Sequence, residues 1–434
     1  MLWSLVPGAN RVSGRPVGMC ADTATLAGLG WVDQGGVGVA QAELSEATER
    51  SEIPEKKVSW AELFFDLVFV FAVTQISALL HDRHDWVGVA QALVVFVPIW
   101  WAWVGTSVHA NTHDVENAVD RLGIFAIGLG SLFMSLAIPQ AYGDRGLLFG
   151  AAYFVLRMLL AAVYFRTRPF GLNAFSVALV VTGPMLLVGG LLPGGARIAV
   201  WALAGLIDLA VPALTRRRLA RVRFDPSHLP ERFGLFLILT LGESIIAIGA
   251  SAAGDALTVG RAFAVAAAFV VACGLWWVYF VFAASAVRHA IAAARVQTDL
   301  IRQVLAYGHL PLIGGIIAIA VGMAEVVAHP DHHLSVSVAA LLVGGCALYL
   351  ATFGYTRWRM YRTVAWPRLG GAAVCLALLP VASHLPALAV LVALAVVLVT
   401  LNALEAWAVR RAGAGEPADF LERRATPASP IPGP

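Results

Sequence analysis

Charge is what this sequence has least of. Asp, Glu, Lys and Arg make up 13% of its 434 residues, where a soluble domain carries about one quarter. That deficit excludes a solvated, disordered chain and argues against a soluble globular one. Lysine is nearly missing, occurring only as Lys56 and Lys57. No basic domain is available to grip a phosphate backbone, so nucleic acid is not an expected partner. The four cysteines, Cys20, Cys273, Cys346 and Cys375, are scattered, and three lie in apolar segments. They form neither a disulfide framework nor a metal knuckle. There is no GxxxxGK[ST] phosphate loop, no GxGxxG turn and no CxxCH haem motif. Gly242-Glu243-Ser244 is not a GxSxG elbow. An internal ATPase, a dinucleotide enzyme and a serine hydrolase are therefore unsupported, and no cofactor is expected.

What remains is apolar. Hydrophobic residues are 59% of the chain and the mean hydropathy is +0.78. Twelve apolar segments stand out, at 58–80, 86–109, 121–139, 147–165, 172–192, 196–214, 233–253, 260–282, 303–327, 336–356, 370–384 and 386–409. Most approach the roughly 20 residues that a helix needs to cross a bilayer. The alternation of a porin strand is absent, and a helix satisfies its own backbone in lipid. The expected fold is an all-α polytopic membrane protein of about twelve helices. The eleventh segment is short, and Pro380 and Pro386 make a broken or re-entrant last pair an expectation. Residues 1–52 read as a flexible extension and 412–434, with GAGEP and PIPGP, as a disordered tail. Between them lie a first six-helix half at 53–214, an Arg-rich linker at 215–232 and a second half at 233–411.

The basic residues fall on alternate sides of these segments. Lys56 and Lys57, the Arg216–Arg223 cluster with Arg232, and the Arg357, Arg359, Arg362, Arg368 group belong to one side, which totals 23 against 4. The positive-inside rule then puts both termini in the cytoplasm and supports an even helix count. The halves also echo each other. The first segment reads WAELFFDLVFVFAV and the seventh ERFGLFLILTLGESIIAI; the second ends IWWAWVGTS and the eighth carries GLWWVYFVF. Six helices per half would give both halves the same orientation, a parallel repeat.

EKKVSWAELFFDLVFVFAVTQI at 55–76, with WWAWVGTSVHANTHD, LPERFGLFLILTLGES, GLWWVYF and YGHLPLIGGI in that order, resembles the bacterial low-temperature-requirement A (LtrA) family. The resemblance covers about residues 53 to 410. It implies a multi-pass bacterial membrane protein, and a family named for a low-temperature growth phenotype. It supplies no reaction and no cargo.

Charged residues inside apolar segments are expensive and mark candidate sites. Glu62 and Asp66 share one face of the first helix at i,i+4, where two like charges need a proton or a cation between them. Glu243 lies well inside the seventh helix beside Ser244, and a duplication would set it across a central cavity from Asp66. Arg157 is an arginine in the centre of a span, with Asp208 or Asp66 as its expected partner. His309 sits between Gly308 and Pro311, where a helix could be irregular. His109, His113 and Asp114 form a weak candidate metal group, since HxxxH alone assigns no base. The expected function is secondary transport of a small solute or ion in the bacterial inner membrane, coupled to protons. The alternatives are a membrane enzyme acting on a lipid or small substrate, and a non-catalytic stress or cold-adaptation factor. The bilayer is the expected environment, and self-association stays open.

Overall fold

The computed structural model describes residues 56–113, 117–219, 224–254 and 256–413. The expectations for the N-terminal extension, for Asp114 and for the tail beyond 413 fall outside them. The described residues are almost entirely helical, and eleven helices are long and apolar enough to cross a membrane. In chain order these are α1 (Trp60–Asp82), α2 (Trp86–Thr112), α3 (Ala118–Gln140), α4 (Gly146–Phe165), α5 (Ala174–Leu191) and α6 (Gly194–Leu214). They continue with α7 (His228–Ala253), α8 (Val259–Ala292), α9 (Gln297–Ala328) and α10 (Val336–Tyr361). The twelfth apolar helix, α11 (Trp366–Ala382), has 17 residues and precedes α12 (Ala387–Arg411). The expected break in the last pair is not there. α11 starts four residues earlier than hydropathy suggests, because Pro367 is accepted in a helix's first turn, and Pro380 falls in its last turn.

Local chemistry sets the starts. Ser59 and Glu62 form a reciprocal capping box on α1, and Asp85, Asn117, Thr258 and Ser335 each accept from a first-turn N–H of α2, α3, α8 and α10. Two helices carry a π-helical segment, α5 at Ala178–Thr182 and α9 at Ile301–Ala306. The extra residue in such a turn frees backbone carbonyls for other partners. The indole of Trp100 donates to the Ala306 carbonyl at 2.9 Å.

Within the first half, α1 packs on α2 and α3, α3 on α4, α4 on α5, and α6 on α2. Within the second, α7 packs on α8 and α9, α9 on α10, α10 on α11, and α12 on α8. The halves meet where α1 packs against α7 and α9, and α2 against α7. Lipid tails give apolar helices no hydrophobic reason to associate, so close packing has to hold them. Gly315 of α9 and Gly345 of α10 provide it: a Cβ on either would come within about 3 Å of the other's carbonyl oxygen. Outward faces carry exposed large apolar side chains such as Phe64, Leu93, Leu206 and Phe263, as a lipid-facing surface requires.

Candidate functional site

The densest charged cluster lies where α1 of the first half meets α7 of the second. Glu62, Asp66, His228 and Arg232 are all 0% exposed. The guanidinium of Arg232 bridges both acids. Nη1 donates to Glu62 Oε1, and Nη2 donates to Asp66 Oδ1 at 3.1 Å. His228 Nε2 lies 3.2 Å from Glu62 Oε1, and the indole of Trp103 on α2 donates to Asp66 Oδ1 at 2.8 Å. Glu62 therefore does two jobs. Its Oε2 also accepts from the Ser59 N–H at 2.9 Å, closing the capping box. One arginine faces two carboxylates, and removing ions from water is costly unless their hydrogen bonds are met. Two atoms of this cluster stay unmet among the described residues, Asp66 Oδ2 and Arg232 Nε.

The N-terminus of α7 is pinned by Asp225. Its Oδ1 accepts from the N–H of Ser227 and of His228 at 2.9 and 3.1 Å and from the Ser227 hydroxyl at 2.7 Å. Its Oδ2 accepts from the Lys56 N–H at 3.3 Å. Burial works against the charge of this carboxyl, but these bonds outweigh it and hold Asp225 below the usual carboxylate range. Asn111 at the end of α2 completes the junction. Its Oδ1 accepts from the Asp225 N–H at 3.1 Å, which orients its amide so that Nδ2 faces His228 Nδ1 at 3.2 Å. His228 Nδ1 is then an acceptor, and Nε2 carries the hydrogen donated to Glu62.

Sequence pattern does not single out Arg232, His228 or Trp103, and it assigns Arg232 to the Arg-rich linker. The seventh helix begins at His228, five residues before the hydrophobic run at Phe233. Pro230 looks like a boundary in the sequence, yet it occupies the first turn, where its missing N–H has no intrahelical partner to lose. The signal that could have revealed the longer helix is a polar run, PSHLPER, that passes into FGLFLIL without a Gly or Asn stop.

Arg157 finds Asp208. Nη2 lies 3.3 Å from Asp208 Oδ2, and both side chains are buried. The hydroxyls of Tyr153 and Thr182 also donate to Asp208, the latter at 2.8 Å. Arg157 Nη1 reaches the Trp101 carbonyl at 3.3 Å and the guanidinium lies over the Tyr153 ring at 4.8 Å. Thr182 closes the π-helical segment of α5, so the irregular turn delivers one of Asp208's donors.

The other expected residues lie apart. Glu243 is half-buried beside Thr74, two turns further along α1 than Asp66. The expectation that Asp66 and Glu243 share one site is corrected by this register: Asp66 faces Arg232, eleven residues and about 16 Å before Glu243 on α7. Ser244 is buried and donates to the Thr240 carbonyl of its own helix at 3.3 Å. His309 is buried between Tyr279, whose hydroxyl lies 2.8 Å from Nε2, and the Val304 carbonyl, 3.1 Å from Nδ1. It touches the Asp66 cluster only through rings: Phe233 stands edge-on to His309 at 5.0 Å and to Trp103 at 4.7 Å. His109 and His113 stack with ring centres 4.3 Å apart. His113 Nε2 is engaged by Thr167 at 2.8 Å. Stacked rings set their nitrogens side by side rather than converging on one point, and among the described residues no group of three His, Cys, Asp or Glu could hold a metal.

The second half holds a buried pair of its own. Arg368 Nε and Nη2 donate to the two oxygens of Glu405 at 2.8 and 3.0 Å. An arginine from the connection before α11 by hydropathy and an acid near the end of α12 thus form a two-pronged contact inside the bundle.

No solved structure matches this chain. An uncharacterized protein of Rhizobium meliloti (strain 1021) is 33% identical over 313 residues, covering 68% of this chain and 76% of the relative. Residues 57–403 match the family model described as bacterial low temperature requirement A protein. That span contains the capping box, both acids of α1, Arg232, Arg157 with Asp208, and Arg368, so this multi-span helical membrane protein belongs to the bacterial low temperature requirement A (LtrA) family.

Proposed function

We propose that the protein is a proton-coupled secondary transporter of a small solute or ion, with Asp66 as the proton site and Arg232 as the charge that responds to it. The observation that carries this reading is Asp66 Oδ2, a fully buried carboxylate oxygen without a hydrogen-bond partner among the described residues. Charge counting gives it meaning. Glu62 and Asp66 supply two negative charges and Arg232 one positive, so a neutral cluster requires one further proton. His228 Nδ1 already faces the Asn111 amide donor. Oδ2 of Asp66 is the atom with room for it. A proton there weakens the hold of Asp66 on Arg232 and shifts the guanidinium toward Glu62. The cluster sits where α1 of one half packs on α7 of the other, so such a shift would act on the junction that alternating access has to move.

The matching packing order of the two halves supports a parallel six-plus-six repeat. The basic-residue asymmetry supports termini in the cytoplasm of a bacterial inner membrane. A cysteine-free protein carrying Arg217→Cys should resist an impermeant thiol reagent in intact cells and react after lysis. Labelling from outside would overturn the orientation.

Function is tested in proteoliposomes filled with a pH-sensitive dye and offered inward gradients of amino acids, organic anions and monovalent cations in turn. At least one gradient should move protons with the wild type. Asp66→Asn should reduce that movement at least tenfold while eluting as a folded protein. A folded Asp66→Asn variant with wild-type flux removes Asp66 from the coupling, and a wild type inert to every gradient removes the transport reading.

A further inference from the structure

A cavity with polar groups in its wall bridges the two halves. It lies between α2, α4, α5 and α6 of the first half and α9 of the second. Its volume is about 100 Å³, well above the roughly 10–15 Å³ that one water molecule needs. Much of the wall is apolar, with Val104, Val108, Phe175 and Pro212. The π-helical segments of α5 and α9 both border it. Ile301, Arg302 and Ala306 of the α9 segment line the cavity, and Thr182, which closes the α5 segment, donates to Asp208 in its wall. Such segments are rare and frequently mark functional sites.

Side-chain donors outnumber acceptors in this wall. Trp101 is 6% exposed, and its indole has one N–H and no acceptor; that N–H meets no partner among the described residues. Arg157, equally buried, and Arg302 each leave Nε in the same condition. Three donors, from α2, α4 and α9, are thus unmet around one cavity. Asp208 does not serve them: its Oδ1 accepts from Thr182, and its Oδ2 from Tyr153 and Arg157 Nη2. The Ala306 carbonyl accepts from Trp100, and the Val304 carbonyl of the same segment faces His309 Nδ1. Each arginine already has a carboxylate, Asp208 for Arg157 and Asp299 for Arg302 at 3.0 Å. What both have left over is an N–H. Buried polar groups are nearly always paired, so three exceptions at one cavity call for an acceptor.

We infer that this cavity binds a small neutral molecule with a carbonyl oxygen, which accepts from the Trp101 indole and from one of the two Nε groups while its apolar part lies against Phe175 and Val108. A carbonyl oxygen has two lone pairs and can take two of the three donors. Apolar walls with a few convergent polar groups are the usual form of a small-molecule site. A ligand held by α2 and α4 on one side and by α9 on the other bridges the halves, where a transporter's cargo binds. The inference gives the proposed transporter a cargo class and rests on that reading for the word cargo alone, since binding is measured without flux.

The purified full chain, isotopically labelled in its tryptophan indoles, is titrated in detergent with cyclopentanone, an acceptor, and with pyrrole, a donor of the same ring size. The Trp101 resonance is the one missing from Trp101→Phe. Cyclopentanone should shift it saturably, and pyrrole should leave it in place. Calorimetry should show Trp101→Phe binding cyclopentanone about fivefold more weakly, the worth of one hydrogen bond. Equal shifts with the two probes, no saturable shift with either, or wild-type cyclopentanone affinity in folded Trp101→Phe overturns the site. Tighter binding of cyclopentanecarboxylate than of cyclopentanone overturns the neutral class. Should Trp101→Phe not fold, Val108→Phe narrows the cavity instead. Loss of cyclopentanone binding in that variant supports the site, and retention overturns it. Cyclopentanone binding by a protein that no gradient drives to move protons keeps the site and removes the cargo role. Proton movement without cyclopentanone binding removes the site and keeps transport.

Discussion

Arg232→Met should lower the unfolding free energy of the purified protein by about 3–5 kcal/mol, the cost of stranding buried charges by removing one partner. The substitution leaves Glu62 and Asp66 facing each other at 0% exposure with no guanidinium between them. Methionine fills much of the guanidinium's volume, so the loss would report charge rather than a cavity. The arginine also lies 5.6 and 5.9 Å from the Phe65 and Trp103 ring centres, and that contact goes as well. Unfolding in a denaturing detergent series measures the effect. Adding Asp66→Asn should return more than half of the loss, because Trp103 can still donate to the amide oxygen and one negative charge has gone. A triple variant with Glu62→Gln should return more, less the weaker helix cap. An Arg232→Met protein as stable as the wild type would show that the cluster's ion pairs contribute nothing to the fold.

The second large effect is expected at Arg157. Arg157→Leu leaves Asp208 buried with only the Tyr153 and Thr182 hydroxyls to hold its charge. These two donors reduce the penalty without cancelling it, so the expected loss is about 3 kcal/mol. Asp208→Asn in the same chain should recover more than half, since the amide oxygen still accepts from a hydroxyl and no net charge remains. The double-mutant cycle isolates the pairwise term. Additive losses at the two positions would mean that the 3.3 Å contact carries no coupling.

The Arg157–Asp208 pair is legible in the sequence because an arginine in mid-span has no water to turn to and few acids within reach. The Arg232 bridge is not legible in the same way. Arg232 sits next to a run of arginines that orient the chain, and Pro230 hides the true start of α7. Asp66 can be read as a buried acid, but its partner cannot. The recurrence of LF followed by an acid points to Glu243, whereas the register of α1 against α7 sets Arg232 opposite Asp66 and Thr74 beside Glu243. A repeat in sequence relates positions along a helix; it does not say which faces meet.

The all-helical, multi-span class, the number of apolar helices and the family all follow from the chain's linear order. Each depends on hydropathy summed over about 20 residues or on contiguous motifs, and bilayer thickness and backbone hydrogen bonding translate the first directly into helices. Which charges meet is a different matter, settled by packing in three dimensions. Arg232 lies 170 residues from Glu62 and 166 from Asp66 along the chain, and His228 lies 117 from Asn111. Helix register and rotation, set by close packing of side chains and glycines between helices, choose those partners, and no local pattern in the chain encodes them.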